Sequence, residues 1–250
     1  MPARHPGVRT PPEDNVASGL TNTDRVRGIF AVIAPGYDRF NALASLGIDR
    51  LWRRSVVKMA DLTPATRVLD LAAGTGDLSL ALARQGRPAE VLGTDFVPEM
   101  LEVARAKAAR YTGPVRLAFR VEDAQALSLP DAAFDVVTVA FGVRNFPDRA
   151  ANFREVLRVL KPGGRYLVLE FSRPTFAPWR ALYHFYLRTM IPLIGGLVAG
   201  DRESFVYLND SIRSFPEQEA LAAELREAGF SNVVWRNLTG GIVAVHLAVK

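Results

Sequence analysis

Several stretches of this chain carry residue types that could hold a small charged ligand. Asp70 precedes Ala73-Gly74-Thr75-Gly76-Asp77, and Asp95-Phe96 follows roughly 20 residues after the second glycine. Glycines let a ligand approach the backbone closely, and an acid at that remove can accept hydrogen bonds from both hydroxyls of a ribose. A dinucleotide fingerprint needs a third glycine, but Ser79 stands there. Asp70 and Asp77 would also repel a pyrophosphate. S-adenosylmethionine, with a sulfonium, an ammonium and no phosphate, suits these carboxylates better. The plain alternative is that the glycines only make a tight turn and Asp95 caps a helix. Asp123-Ala124 offers a carboxylate for an adenine amino group and a backbone N–H for the ring. In Phe141-Gly142-Val143-Arg144-Asn145-Phe146-Pro147-Asp148, a polar Arg-Asn pair lies between aromatics. That is unusual for a mere connector, although Arg144 could simply pair with Asp148 at a helix start.

The elements around these residues alternate. Short apolar runs over 67–72, 91–95, 115–121, 134–141 and 165–171 read as strands, and amphipathic segments between them read as helices. Phe134 to Phe141 is nearly continuous in apolar residues, as expected for a strand buried on both faces of a parallel sheet. A helix opening at Pro147 places Phe153, Val156, Leu157 and Leu160 on one face and stops at Lys161-Pro162-Gly163-Gly164. The pattern predicts an α/β fold: a doubly wound, mainly parallel, seven-stranded sheet. Two last strands, joined at Thr239-Gly240-Gly241, make an antiparallel hairpin at its edge. Residues 1–24 read as a disordered tail and 25–250 as a single domain. Within it, 25–60 is an N-terminal helical cap and 172–213 an aromatic-rich helical insert.

Composition bounds the chemistry. There are 250 residues, 49% hydrophobic, with a formal net charge of +5 and no Cys. Disulfides, thiolate catalysis and Cys-ligated zinc are excluded. The three histidines, His5, His184 and His246, are far apart, so no metal site is expected. The longest apolar stretch, Met190 to Gly200, is too short to span a bilayer, which predicts a soluble, cytoplasmic protein. Resolved along the chain, residues 61–143 carry eleven acids against eight bases and suit a cationic cofactor. The segments 25–60 and 144–213 carry the basic excess.

Three sequence stretches go further. Tyr37-Asp38-Arg39-Phe40-Asn41 with Ser45-Leu46-Gly47 is one. Phe141 to Asn145 is the second. Arg158-Val159-Leu160-Lys161-Pro162-Gly163-Gly164-Arg165 running into Leu169-Glu170-Phe171-Ser172 is the third. Together they closely resemble the signatures of the ubiquinone/menaquinone biosynthesis C-methyltransferases, from about Arg25 to the C-terminus. Phe40 stands where that family usually has Met, and Asp49 where many members have His. The resemblance implies the class I S-adenosylmethionine-dependent methyltransferase fold and methylation of a ring carbon on a prenylated quinol. Demethylmenaquinol is the favoured substrate and a prenylated methoxy-benzoquinol the alternative. Carried onto this chain, Thr75, Asp95, Asp123 and Ala124 contact the cofactor, with Ala140 at a position that often has Ser.

Such a transfer needs alignment, exclusion of water and a stabilised phenolate. Guanidinium stays charged, so Arg144 is assigned to the phenolate and Asn145 to orienting a ring oxygen. The proton acceptor is Tyr37, Asp38, Asp148 or water, and sequence does not choose. The insert carries Arg and no acid from Phe171 to Gly200, with Phe171, Phe176, Trp179, Tyr183, Phe185 and Tyr186. That composition suits either a membrane-interface segment, at the inner face of the cell membrane, or a packed lid over the substrate. A nucleic-acid methyltransferase is the competing class. It lacks support, since no Asn-Pro-Pro-Tyr motif or appended RNA-binding module is present, and no nucleic-acid partner is expected. The oligomeric state stays open.

Overall fold

The computed structural model describes residues 22–199 and 203–250. The expected tail over 1–24 therefore lies almost wholly outside the described residues, and its last three positions already belong to the first helix. In chain order the elements are α1 (Asn22–Ile33), α2 (Tyr37–Ala44), α3 (Asp49–Ala60), β1 (Arg67–Leu71), α4 (Asp77–Ala81), β2 (Glu90–Asp95), α5 (Pro98–Ala108), β3 (Arg116–Val121), β4 (Phe134–Ala140), α6 (Arg149–Val159), β5 (Leu160–Phe171), α7 (Ala177–Ala199), α8 (Glu203–Ser214), α9 (Gln218–Glu227), β6 (Ser231–Leu238) and β7 (Val243–Val249).

The seven strands form one sheet in the order β3-β2-β1-β4-β5-β7-β6. All neighbours are parallel except β7, which runs antiparallel to both β5 and β6. The apolar runs of β1 and β4 are buried on both faces, because helices cover both sides of the sheet. The edge strand β3 instead alternates or exposes its side chains. One core cluster, including Leu69, Val137, Phe153 and Tyr166, fills the α6/α9 side, and another, including Trp52, Val56, Val68 and Leu167, fills the α3 side.

Two boundaries differ from the sequence pattern. Helix α6 starts at Arg149, because Asp148 serves as its N-cap and accepts from the Ala151 N–H at 2.9 Å. The Lys-Pro-Gly-Gly segment does not separate helix from strand but lies inside β5. Leu160 pairs with Phe134 and Arg165 with Val136, so the intervening residues bulge out of register.

The chain order reverses between β1 and its two neighbours, β2 and β4. A crevice opens there at the carboxyl ends of the strands. Ala72 and Phe141, each directly after one of those central strands, have φ of +47° and +58° and turn the chain sharply across its rim.

Candidate active site

The glycine turn is built by its neighbours. Gly76 has φ +82°, and a Cβ on it would lie 2.9 Å from the Phe119 ring, so only glycine fits. The N–H of Gly74 donates to Asp95 Oδ2 at 2.8 Å, and the Val97 N–H donates to Asp95 Oδ1 at 2.9 Å. Beneath the turn, Asp70 accepts from Ser79 Oγ at 2.5 Å and from Thr138 Oγ1 at 2.8 Å. Burial pushes the Asp70 and Asp95 carboxyls up to about 6, against the hydrogen bonds that favour their charged forms.

Three small cavities run in a row along this crevice. The first is lined by Ala72, Phe96, Glu122, Asp123, Ala124 and Asn145, among others. The second is lined by Gly74, Asp95, Phe96, Ala140, Phe141 and Asn145, among others. The third lies under the turn, among Arg53, Asp70, Gly74, Thr75, Asp77 and Ala140. The crevice thus gathers every residue expected to hold the cofactor except Gly76, which shapes the turn from behind. Its charged lining is mostly carboxylate, the acceptor set that suits a sulfonium, an ammonium and ribose hydroxyls and repels a pyrophosphate.

A larger cavity of about 410 Å³ lies beside the row. Tyr37 and Phe141 line it together with the second and third small cavities, so these side chains form the partition. Its walls come from four separate segments: the cap, the Phe141–Asn145 loop, α7 with α8, and the turn at Thr239. Phe40, the departure from the family's usual Met, is buried in its wall beside Tyr183, Leu187 and Ile191. Phe141 packs on Phe171 and Trp52 with ring centroids 4.8 and 6.0 Å apart. The Trp52 indole N–H donates to Thr239 Oγ1 at 2.7 Å, and the Trp179 indole N–H donates to the Thr239 carbonyl at 3.2 Å. One turn residue therefore anchors both cap and insert. Gly240 completes that turn at φ +66°, and a Cβ there would meet the Trp179 ring nitrogen at 2.7 Å.

Arg144 and Asn145 line this cavity. The Arg144 side chain is 3% exposed and pairs at 2.9 Å with Glu170, itself 1% exposed. Its guanidinium also donates to the Phe141 carbonyl and lies 5.3 Å above the Phe171 ring. Its Nε is buried with no partner. Arg144 does not pair with Asp148, as the plain alternative had it. Glu170 was visible in sequence only as part of a signature; its lone acidic position at the end of an apolar strand was the signal that it must meet a buried cation. Burial pushes its carboxyl up, and Arg144 works against that rise.

The candidate proton acceptors separate. Tyr37 reaches the cavity, and burial pushes its phenol up. Asp38 does not line it. Its carboxylate accepts from Thr75 Oγ1 at 2.5 Å and pairs with Lys107 at 2.8 Å, fastening the cap to the glycine turn. Asp148 is occupied as a helix cap. His246 contacts the Gln218 carbonyl at 2.8 Å inside the sheet edge. His184 sits on the insert away from the cavity lining, with its imidazole held down by partial burial and by Arg213, Arg188, Arg173 and Arg180. Among the described residues, no group of His, Asp or Glu could hold a metal ion, and no helix is long and apolar enough to cross a membrane.

Comparison with known proteins bears on the family and the fold. The chain is 48% identical over 223 residues to the ubiquinone/menaquinone biosynthesis C-methyltransferase UbiE of Acidiphilium cryptum, covering 89% of each. It is 46% identical over 219 residues to the demethylmenaquinone methyltransferase of Thermus thermophilus, covering 88% of this chain and 98% of that one. Among solved structures, the [4+2]-cyclase SpnF superposes with a TM-score of 0.66 at 19% identity, over 90% of this chain and 94% of that one. A Haemonchus contortus phosphoethanolamine N-methyltransferase, solved with S-adenosylhomocysteine, gives a TM-score of 0.58 at 17% identity, over 79% of this chain and 52% of that one. These two likenesses are of fold: one fold serves a cyclase and an N-methyltransferase, so the chemistry must be read from the side chains. The family profile decides more, since it matches residues 19–250: the chain belongs to the ubiE/COQ5 methyltransferase family.

Proposed function

We propose that this methyltransferase transfers a methyl group to a ring carbon of a prenylated quinol, with demethylmenaquinol as its substrate. The observation that carries this reading is the large apolar cavity, with the buried Arg144 guanidinium in its wall, sharing the Tyr37–Phe141 partition with the cofactor crevice. Its volume of about 410 Å³ suits a bicyclic ring, and a quinol oxygen is the polar group that Arg144 would meet there. The names of the relatives support the same substrate class.

S-adenosylmethionine is the methyl donor and supplies an electrophilic carbon on a sulfonium. Arg144 lowers the cost of ionising the ring hydroxyl, which places electron density on the neighbouring ring carbon. Glu170 and the Phe171 ring hold the guanidinium in place. Asn145, which lines the large cavity and two of the small ones, orients the ring oxygen at the junction. Tyr37 keeps its proton, because burial raises its phenol, and acts in this reading as a hydrogen-bond donor. With Asp38 tied to Lys107 and Thr75, and Asp148 to its helix, the ring hydroxyl's proton leaves to water. The new C–C bond forms as the C–S bond breaks, its electron pair staying on sulfur, and loss of the proton on the methylated carbon restores the aromatic ring.

The tail of the substrate leaves by the rim, where Leu46 is 79% and Phe185 61% exposed. Phe176, just before α7, and Leu182 and Leu193 on it are also exposed, and Arg180 and Arg188 are exposed on the same helix. Apolar side chains beside arginines, on a helix with no acid of its own, fit the surface of an anionic bilayer, where a polyprenyl quinol resides. Tyr183 is buried and Trp179 is turned to Thr239, so the insert serves as both lid and interface.

The test is transfer of labelled methyl from S-adenosylmethionine in detergent. Demethylmenaquinol, a prenylated methoxy-benzoquinol and tRNA are offered in parallel. Label in the naphthoquinol supports the proposal. Label in the benzoquinol alone moves the substrate to the other quinone branch, and label in tRNA or in nothing overturns the quinol reading. Phe176→Glu with Leu193→Glu, neither of which lines the cavity, should weaken binding to anionic vesicles while leaving turnover in detergent unchanged.

A further inference from the structure

A free amino-acid group carries both signs of charge and needs both from its site. Of the three small cavities, the one at Asp123 has Glu122 and Asp123 as its charged lining, and the middle one has Asp95. Either would repel a carboxylate. The cavity under the glycine turn has Asp70 and Asp77 together with Arg53, the one Lys or Arg lining any of the three among the described residues.

Arg53 comes from the cap, on α3, and its side chain is largely buried. One guanidinium nitrogen pairs with Asp49, four residues earlier, and the other lies 3.5 Å from Asp77. Asp49 is fixed in turn by Ser45 Oγ, which donates to it at 2.8 Å. Asp77 has a second cation, Lys107, on its other side. A guanidinium has five N–H donors, so these two contacts leave capacity for a third carboxylate. Arg53 also lines the large cavity, so it stands where the two ligand spaces meet.

We propose that Arg53, oriented by Asp49, receives the α-carboxylate of S-adenosylmethionine, while the Asp70–Asp77 side of the same cavity receives the ammonium. A planar guanidinium matches a carboxylate bidentately and is less strongly hydrated than an ammonium. The assignment also orients the cofactor. With the amino-acid end under the glycine turn and the ribose on Asp95, the base lies toward Asp123 and Ala124. The sulfonium then lies beside the Tyr37–Phe141 partition. It gives a purpose to Asp49, which the family pattern marks as a departure: it is the carboxylate that holds the guanidinium in place.

The proposal rests on the methyl-donor reading, and binding experiments separate the two. Titration calorimetry uses three probes: S-adenosylhomocysteine, decarboxylated S-adenosylmethionine and 5′-methylthioadenosine. The first has the whole amino acid, the second lacks the carboxylate and carries the methylated sulfonium, and the third lacks both the carboxylate and the amino group. Arg53→Gln is expected to weaken S-adenosylhomocysteine by about 30-fold or more, the range of a lost charged hydrogen bond. It should change the other two probes by less than about threefold. Arg53→Lys should recover part of the loss, and Asp49→Asn should weaken S-adenosylhomocysteine alone by a smaller factor, since Asp49 is a positioning residue. Retained 5′-methylthioadenosine binding shows that each variant is folded. If Arg53→Gln weakens all three probes alike, or none, the assignment is overturned while the donor reading stands. If the unaltered protein binds none of them, both fall.

Discussion

The two halves of the site are built by different means. The cofactor crevice is lined mainly by chain segments that directly follow strands of one sheet, with Tyr37 and Arg53 entering from the cap, and its key carboxylates are held by backbone N–H groups and by hydroxyls on neighbouring elements. The substrate cavity is made by segments brought together from across the sequence. Tyr186 reaches the Ala44 carbonyl over 142 residues, and Trp52 reaches Thr239 over 187. The first half follows from the topology of the sheet. The second depends on contacts between distant segments, and in the proposed reading it sets what is methylated.

Breaking the Arg144–Glu170 pair in the cavity wall should have the largest effect. Arg144→Ala is expected to lower kcat by about 10²–10³-fold, the range for losing a donor that stabilises a developing oxyanion. The Kd for S-adenosylhomocysteine should stay within about twofold, because Arg144 lines none of the three small cavities. The variant should also lose stability, since Glu170 is left buried without its cation. Glu170→Gln in the Arg144→Ala background separates these effects: the unfolding midpoint should recover and turnover should not. Recovery of turnover would make Arg144 merely a partner for Glu170.

Asp95 probes the other half. Asp95→Asn is expected to weaken S-adenosylhomocysteine by about 10–100-fold and leave quinol KM little changed. Its pH behaviour has two opposite signs. The folded carboxyl titrates near 6 against an ordinary 3.8, so between those values the folded state binds more protons than the unfolded one. Its contribution to stability is therefore fullest in acid and is lost as pH rises through about 6, and Asp70 adds to the same slope. Ribose hydroxyls need the ionised form as acceptor, so cofactor affinity should fall as pH drops below about 6. Calorimetry and thermal melts over pH 4.5–7.5 measure both. His184 and His246, both held down, tilt the whole melt the other way, so the slope is read as the difference between the unaltered protein and Asp95→Asn; a difference in favour of the unaltered protein that grows as pH rises through that window would contradict the burial of Asp95.

How legible each half was follows from the same contrast. Asp70, the glycine turn, Asp95 and Asp123 lie within one βαβαβ run, where strand and helix periods fix their positions before any tertiary contact is known. Arg144 and Asn145 could be placed because they directly follow the apolar run of β4, the next strand along the chain. Glu170 as the partner of Arg144, Thr239 as the acceptor for two tryptophans and Asp38 as a latch rather than a base were not legible. Each depends on a contact whose two sides share no local pattern. Asp38 looked like a base because it adjoins Tyr37, but on α2 adjacent residues point about 100° apart, and only Tyr37 lines the cavity.

The anchor at Thr239 gives an intermediate effect. Trp52→Phe and Trp179→Phe each remove one indole N–H and keep an aromatic ring, so each should cost about 0.5–1.5 kcal/mol of stability and raise quinol KM without changing cofactor Kd. The two bonds end on different atoms of one residue. A double-mutant cycle should therefore return a coupling energy beyond simple additivity. Strict additivity would mean that cap and insert are held independently.

The smallest effect sharpens the comparison most, because it sets one tyrosine hydroxyl in each half against the other. Tyr166 lies fully buried under the crevice, and its hydroxyl donates to Asn152 Oδ1 at 3.1 Å, while Asn152 Nδ2 donates to the Ala124 carbonyl at 2.8 Å. Tyr166→Phe leaves Asn152 short of a partner and should destabilise by about 1 kcal/mol. Tyr183, in the wall of the substrate cavity, has a buried hydroxyl with no partner. An unmet buried hydroxyl costs about 1–3 kcal/mol, so Tyr183→Phe should raise the melting temperature by a few degrees for a chain of this size. The signs are the test. Polar groups under the crevice are satisfied within the sheet and its helices, whereas one in the cavity wall is left unmet by the protein's own groups. If Tyr183→Phe were instead to destabilise as Tyr166→Phe does, the Tyr183 hydroxyl would have a partner in the working protein, and the cavity wall would be as self-sufficient as the crevice.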